Sequence, residues 1–231
     1  MGPNLIMLGP PGAGKGTQAE RFARSRRIPK ISTGDILREA VQAGTEVGAR
    51  AKVTMDRGEL VSDDIMIGIV GTRLNQSDAL GGFILDGFPR TVPQARALDG
   101  MVEGRGPLVV VDIVVPESEL VRRLGSRMIC ADCGANAGTF VEGEAAAAAR
   151  GGELTRCLRC GGPLVQRADD NAAVVLQRFK IYQRDTKPLV EYYRGRPTFS
   201  AIDGAQPSDK VAADIAAAIE SASGLAGGVR S

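Results

Sequence analysis

The segment Gly9-Pro-Pro-Gly-Ala-Gly-Lys-Gly-Thr17 constrains this chain more than any other, because it stands between the apolar run Asn4 to Leu8 and a helix-like stretch that opens at Lys15. A glycine-rich turn between a buried strand and a helix N-terminus lets successive backbone N–H groups point inward at phosphate oxygens, with the positive end of the helix behind them. Gly12, Ala13, Gly14, Lys15, Gly16 and Thr17 are therefore the candidate phosphate ligands, with Lys15 reaching the outermost phosphates. The general form of such a loop carries its hydroxyl directly after the lysine, whereas here Gly16 intervenes and moves it to Thr17. A plain Gly/Pro turn with a solvated lysine is the competing reading, and the strand before and helix after disfavour it.

Further apolar runs at Pro29 to Ser32, Phe83 to Leu85, Leu108 to Val115 and Thr198 to Ile202 alternate with helix-like stretches. That alternation predicts an α/β fold with a mostly parallel sheet. Helices are expected at Lys15 to Arg24, Gly34 to Ala43, Glu46 to Arg57, Asp63 to Asn75, Thr91 to Met101, Pro116 to Ser126, Asn171 to Arg184 and Pro207 to Ser221. Thr33, Ser62 and Asp170 are the expected N-caps. Two segments break the layered pattern and read as inserts: one between Ser32 and Val61, where helices follow each other without a returning strand, and the Gly- and Cys-rich Arg127 to Val165. The implied division is a core of 1–31, 62–126 and 166–223, inserts at 32–61 and 127–165, and an unstructured tail from Gly224. Residues 144–150, Ala-rich, read as a loop or one frayed turn.

Phe83-Ile-Leu-Asp-Gly-Phe-Pro-Arg90 is a strand ending in a carboxylate, where a sheet carrying such a loop would place the acid that orients metal-bound water. Asp86 is the candidate for that role. Gly87 permits a close backbone approach, Pro89 stiffens the turn, and Arg90 then offers a planar fork to a phosphate.

Cys130-Ala-Asp-Cys133-Gly and Cys157-Leu-Arg-Cys160-Gly contain all four cysteines of the chain. Two C-x-x-C-G knuckles suit a closed tetrahedral zinc site, structural rather than catalytic because the protein fills all four positions. Two disulfides or an iron site are the alternatives, the first disfavoured by the reducing compartment expected for the chain.

The loop with its shifted hydroxyl, the D-G-F-P-R turn, Ile31-Ser-Thr-Gly-Asp-Ile-Leu-Arg38, Gly58-Glu-Leu-Val61, Pro93-Gln94 and the paired knuckles together resemble the adenylate kinases, over roughly residues 4 to 215. The resemblance implies a P-loop NTPase-type, five-stranded parallel sheet flanked by helices, with a helical monophosphate-binding insert and a zinc-binding lid. It implies reversible, Mg2+-dependent transfer between ATP and AMP, giving ADP. By the same resemblance Thr33, Glu59, Leu60, Val61, Gly87, Phe88, Pro89 and Gln94 line the AMP site. Arg38 and Arg90 grip the AMP phosphate. Arg123 and Arg127 face ATP and the phosphoryl group in flight, Arg167 and Arg178 complete the clamp, and Gln206 meets the ATP base. Asp169 and Asp170 are expected to neutralise these arginines. The family's aromatic and His after the first knuckle are replaced here by Asn136-Ala137, the chain has no His, and Phe140 is the available substitute.

Two rival functions remain: another nucleoside monophosphate kinase or a GTP-using one, and a zinc ribbon that binds nucleic acid with the P-loop as a switch. A net charge of +2 and 4% aromatic residues argue against nucleic-acid binding. No apolar run approaches the ~18 residues of a membrane helix, and the best candidate is interrupted by Asp112. With no leader-like start, a cytoplasmic monomer is expected.

Overall fold

The computed structural model describes residues 2–137, 156–167 and 170–227. Five parallel strands are built from the β-branched and leucine-rich runs: β1 (Asn4–Leu8), β2 (Lys30–Ser32), β3 (Phe83–Asp86), β4 (Leu108–Val114) and, as the last strand, β7 (Phe199–Asp203). Their order is β2-β3-β1-β4-β7. The central strand β1 thus lies between β3 and β4, where the order reverses, and the crevice beyond the C-terminal end of β1 is where such sheets hold ligands.

Both faces of the sheet are covered, which is why the strands read as continuous apolar runs rather than alternating ones. One face carries α4 (Asp63–Leu74), α5 (Val92–Met101) and α8 (Pro188–Arg194). There Val70, Leu74, Leu98 and Leu189 bury themselves against Ile6, Leu85 and Val110. The other face carries α1 (Lys15–Arg26) and α9 (Ser208–Gly227). There Phe22, Ile215 and Ile219 pack on Leu5, Ile84 and Val111. Each such side chain withdrawn from water contributes about 1.5–3 kcal/mol before conformational entropy is counted.

The two segments that broke the pattern add no strand to the five-stranded sheet among the described residues. α2 (Thr33–Gln42) and α3 (Glu46–Asp56) form a helical pair between β2 and α4. After α6 (Glu117–Gly125) the chain enters the short strand β5 (Met128–Cys130), which pairs antiparallel with β6 (Leu164–Gln166) in a separate sheet.

Several local expectations are corrected. The cap of α2 is Ser32, whose hydroxyl accepts from the Asp35 N–H, while Thr33 is already helical. Ser62 occupies the cap position of α4 without a side-chain cap bond. Asn171, not Asp170, caps α7 (Ala172–Ile181) by accepting from the Val174 N–H. The stretch expected to run unbroken to Arg184 ends at Ile181 and passes through a π-helical turn at Tyr182–Thr186 into α8. The tail expected from Gly224 continues α9 through Gly227. Residues 144–150, Phe140 and Asp169 lie outside the described residues.

Candidate functional site

At the end of β1 the loop folds back on itself. The Lys15 ammonium donates to the carbonyls of Gly9 (2.8 Å) and Pro10 (2.9 Å). Gly14 stands before α1 in the left-handed conformation with no side-chain cap bond. The first N–H groups of α1 thus have no side-chain cap oxygen, an arrangement suited to anions.

Lys15 is half-buried as a residue, and its ammonium is the enclosed end. Its pKa falls to about 8, first through burial and then through Arg90, Arg178 and Arg127, while Asp86 works in the opposite direction. Four predicted site residues therefore act on Lys15, and they converge from three separate parts of the chain: the Asp86–Arg90 turn, Arg127 and Arg178. Gly16 also finds its reason here: a Cβ at that position would stand 3.1 Å from Oδ2 of Asp86. The loop omits a side chain directly after the lysine because the Asp86 carboxylate occupies the space.

A cleft of about 1650 Å³ lies over the loop. It collects Gly12, Ala13, Gly14, Lys15, Gly16, Thr17, Asp86, Arg123, Arg127, Arg167 and Gln206, and it reaches the first knuckle at Cys130 and Cys133. A second cavity of about 60 Å³ is lined by Thr33, Glu59, Leu60, Val61, Gln94 and Arg178. Gly87, Arg38, Arg90 and Arg167 line both. Phe88 and Pro89 line neither; both are buried, and Phe88 packs into the core beyond a cis Phe88-Pro89 bond.

The acceptor side is held by a compact set of bonds. The carbonyl of Gly87 accepts from the Thr33 hydroxyl (2.9 Å) and from Nε of Arg90 (2.8 Å). Gly87 has φ +84°, and a Cβ there would stand 2.9 Å from the Thr33 hydroxyl, so glycine is required twice over. The Arg90 carbonyl accepts from Thr186 in the π turn. Gln94 is buried, with Oε1 accepting from the Arg90 N–H (2.8 Å) and Nε2 donating to Asp63 (2.7 Å). Those bonds use half of the amide's capacity, leaving one N–H and one lone pair for a ligand. Arg38 donates from Nη2 to Asp35, and its Nη1 is buried without a partner among the described residues.

The remaining arginines are anchored by carboxylates and carbonyls. Asp170, whose side chain is fully buried, accepts from both Arg127 and Arg178. This fulfils for Asp170 the neutralising role expected of the pair. Arg123 donates to Glu119 (2.7 Å) and to the carbonyl of Gly204 (2.9 Å). Gln206 donates to Asp203 and Asp214.

The sulfur atoms of Cys130, Cys133, Cys157 and Cys160 lie within 4.8 Å of one another, with Cys130 to Cys160 at 3.4 Å and Cys133 to Cys157 at 3.6 Å. No disulfide joins them. A tetrahedron with ~2.3 Å metal–sulfur bonds has edges near 3.8 Å, so the cluster fits one ion. Backbone N–H groups of Cys133 and Arg159 point at the sulfurs of Cys130 and Cys157, as thiolates require. β5 and β6 bring the knuckles together.

Three features escaped the sequence reading. Asp112 was noticed only as a break in an apolar run; it is a buried carboxyl in β4 whose Oδ1 has no partner among the described residues. Burial raises its pKa, against the fields of Lys15 and Arg194. Tyr182 stands near it, its hydroxyl pushed up to about 12 by burial and by Asp112. Lys30 joins Glu20 to Asp35. An acid in a strand and a lysine opening one were the available signals.

Among the described residues no helix is long and apolar enough to cross a membrane. A family profile described as adenylate kinase matches residues 7–197. Curated relatives carry the same name. The adenylate kinase of Archaeoglobus fulgidus is 48% identical over 219 residues, covering 94% of this chain and 98% of the relative. That of Rhizobium etli is 45% identical over 216 residues, covering 92% and 97%. That of Desulforudis audaxviator is 44% identical over 218 residues, covering 94% and 99%. With the family profile spanning most of its length and near-full-length relatives on either side of 45% identity, the chain belongs to the adenylate kinase family.

Proposed function

We propose that the chain is an adenylate kinase that moves the γ-phosphoryl group of ATP directly onto the phosphate of AMP, reversibly, giving two ADP. The observation that carries this is the sharing of Arg38, Arg90 and Arg167, with Gly87, by the two cavities, since three cations facing both spaces suit a phosphoryl group passing between two nucleotides. ATP lies on the loop, with its phosphates on the backbone N–H groups and Lys15, and with Gln206 toward the base. AMP lies under the α2–α3 insert, with its phosphate on Arg38 and Arg90. Glu59, Leu60, Val61 and Gln94 surround its base and Thr33 its ribose side.

Thr17 and Asp86 would hold Mg2+, Asp86 by orienting its bound water, and the ion would neutralise charge on the ATP phosphates. Arg123, Arg127, Arg167 and Arg178 stabilise charge spread over the oxygens of the moving group. Asp170 holds Arg127 and Arg178 in a fixed fork before substrate arrives, so little reorganisation is left to the reaction. The AMP phosphate is already an anion, so no general base is called for. Closure of both inserts expels water that would otherwise take the phosphoryl group. The four cysteines hold a structural Zn2+ that stiffens the lid. One chain supplies both cavities, in keeping with a cytoplasmic monomer.

The nearest rival differs only in nucleotide choice, so the test is a panel of AMP, GMP, CMP and UMP with ATP, repeated with GTP as donor. ATP with AMP is expected to be turned over at least about tenfold faster than any other pair, as expected when a buried amide such as Gln94 is left unpaired by the wrong base. Faster turnover of another monophosphate, or of GTP, would assign the chain to the rival.

A further inference from the structure

Arg38 faces two ways. It lines both cavities and is the acceptor-phosphate ligand under the function proposed above, yet here its Nη2 is bound to Asp35. The backbone of Asp35 is fixed at the helix start, its N–H donating to the Ser32 hydroxyl. A guanidinium that leaves Asp35 for a phosphate strands a carboxylate, and in a partly buried place that costs affinity.

A second cation already stands beside that carboxylate. Lys30 opens β2, and its side chain is 20% exposed. Its ammonium donates to Glu20 on α1 at 3.2 Å and lies 3.6 Å from Oδ2 of Asp35, on the oxygen Arg38 does not use. Arg24 donates to the other oxygen of Glu20. The cluster therefore holds Arg24 and Lys30 against Glu20 and Asp35, two cations for two carboxylates, with Arg38 as the surplus charge. Asp35 feels both neighbours: although burial opposes it, Arg38 and then Lys30 hold its carboxyl below the usual range.

We propose that Lys30 is a positioning residue for acceptor binding: it takes over Asp35 when Arg38 turns to the phosphate of the monophosphate nucleotide. At 3.6 Å its hold on Asp35 is loose, so Arg38 keeps the carboxylate while the site is empty. A small rotation of Lys30 then brings its ammonium within hydrogen-bond reach of Asp35, so that it bridges Glu20 and Asp35 and leaves Arg38 uncommitted. The exchange also ties the first turn of α2 to α1 as the acceptor enters.

Lys30 acts through Arg38, so the proposal rests on Arg38 being a phosphate ligand, and the experiment separates the two. AMP binding to the full chain without ATP is measured by calorimetry for Lys30→Gln, Lys30→Arg, Asp35→Asn, the double variant Lys30→Gln/Asp35→Asn, and Arg38→Gln, with ATP binding and melting temperature measured alongside. Lys30→Gln is expected to raise the Kd for AMP roughly three- to tenfold, the scale of one partly buried ion pair, and to leave that for ATP within about twofold. Lys30→Arg restores AMP affinity, and Lys30→Gln has no further effect once Asp35 is Asn. The proposal is overturned if Lys30→Gln spares AMP while Arg38→Gln weakens it, if AMP and ATP weaken together, or if the effect survives in the Asp35→Asn background. An Arg38→Gln variant that binds AMP normally would instead overturn the acceptor site itself, and the role of Lys30 with it.

Discussion

Lys15 is asked to be a cation in a place that discourages cations. Burial and three arginines bring its pKa down to about 8, against ~10.4 for an unburied lysine. The folded chain without nucleotide therefore binds fewer protons than the unfolded chain between pH about 8 and about 10.4, so this group's cost is complete below pH 8 and is relieved as pH rises through that window. A triphosphate beside the ammonium reverses the imbalance. ATP binding near pH 8.5 is then expected to take up a proton, seen as a dependence of the calorimetric heat on the ionisation enthalpy of the buffer, and Lys15→Met is expected to abolish it. Heats independent of buffer would mean that Lys15 keeps its proton without ATP. The same residue shows what sequence spacing can tell. Lys15, Asp86 and Arg90 are set by local motifs, and the structure brings them together. The engagement of Gln94 with Asp63, 31 residues away, depends instead on how separate elements pack.

Elements repeat that lesson. Strands buried on both faces announce themselves as apolar runs, and all five were legible within a residue or two. Ser62 was placed correctly at its cap position, but the other two caps were missed by one residue, because Ser32 and Thr33, or Asp170 and Asn171, offer equivalent oxygens one residue apart. Tertiary demand decides between them: Thr33 donates to Gly87, and Asp170 turns inward to two arginines. The π turn at Tyr182–Thr186 is likewise invisible to a 3.6-residue period, although it delivers Thr186 to the Arg90 carbonyl. In the lid, β5 and β6 are only three residues each. So small a sheet is marginal by itself, and the ion proposed at the four cysteines would contribute to its folding. Stripping zinc with a strong chelator is expected to lower the melting temperature by several degrees, on the order of 2–4 °C per kcal/mol lost, with zinc restoring both melting and activity. An unchanged melt would remove the structural role from the metal.

At the scale of the whole molecule, the sheet order puts β1 at its centre and the phosphate loop at the topological switch. The two inserts leave the core on either side of that point, one carrying Arg38 and the other the knuckles. The two cavities meet at Gly87 and Arg90, just past the end of β3. The central claim is transfer between two nucleotides rather than to water. Its most direct test is the product balance from ATP plus AMP, with Lys15→Met as the control. Two ADP are expected for each ATP consumed, with negligible free phosphate and a loss of at least about a hundredfold in the variant, the scale of one lost transition-state charge contact. Phosphate released from ATP while AMP is left untouched would contradict it.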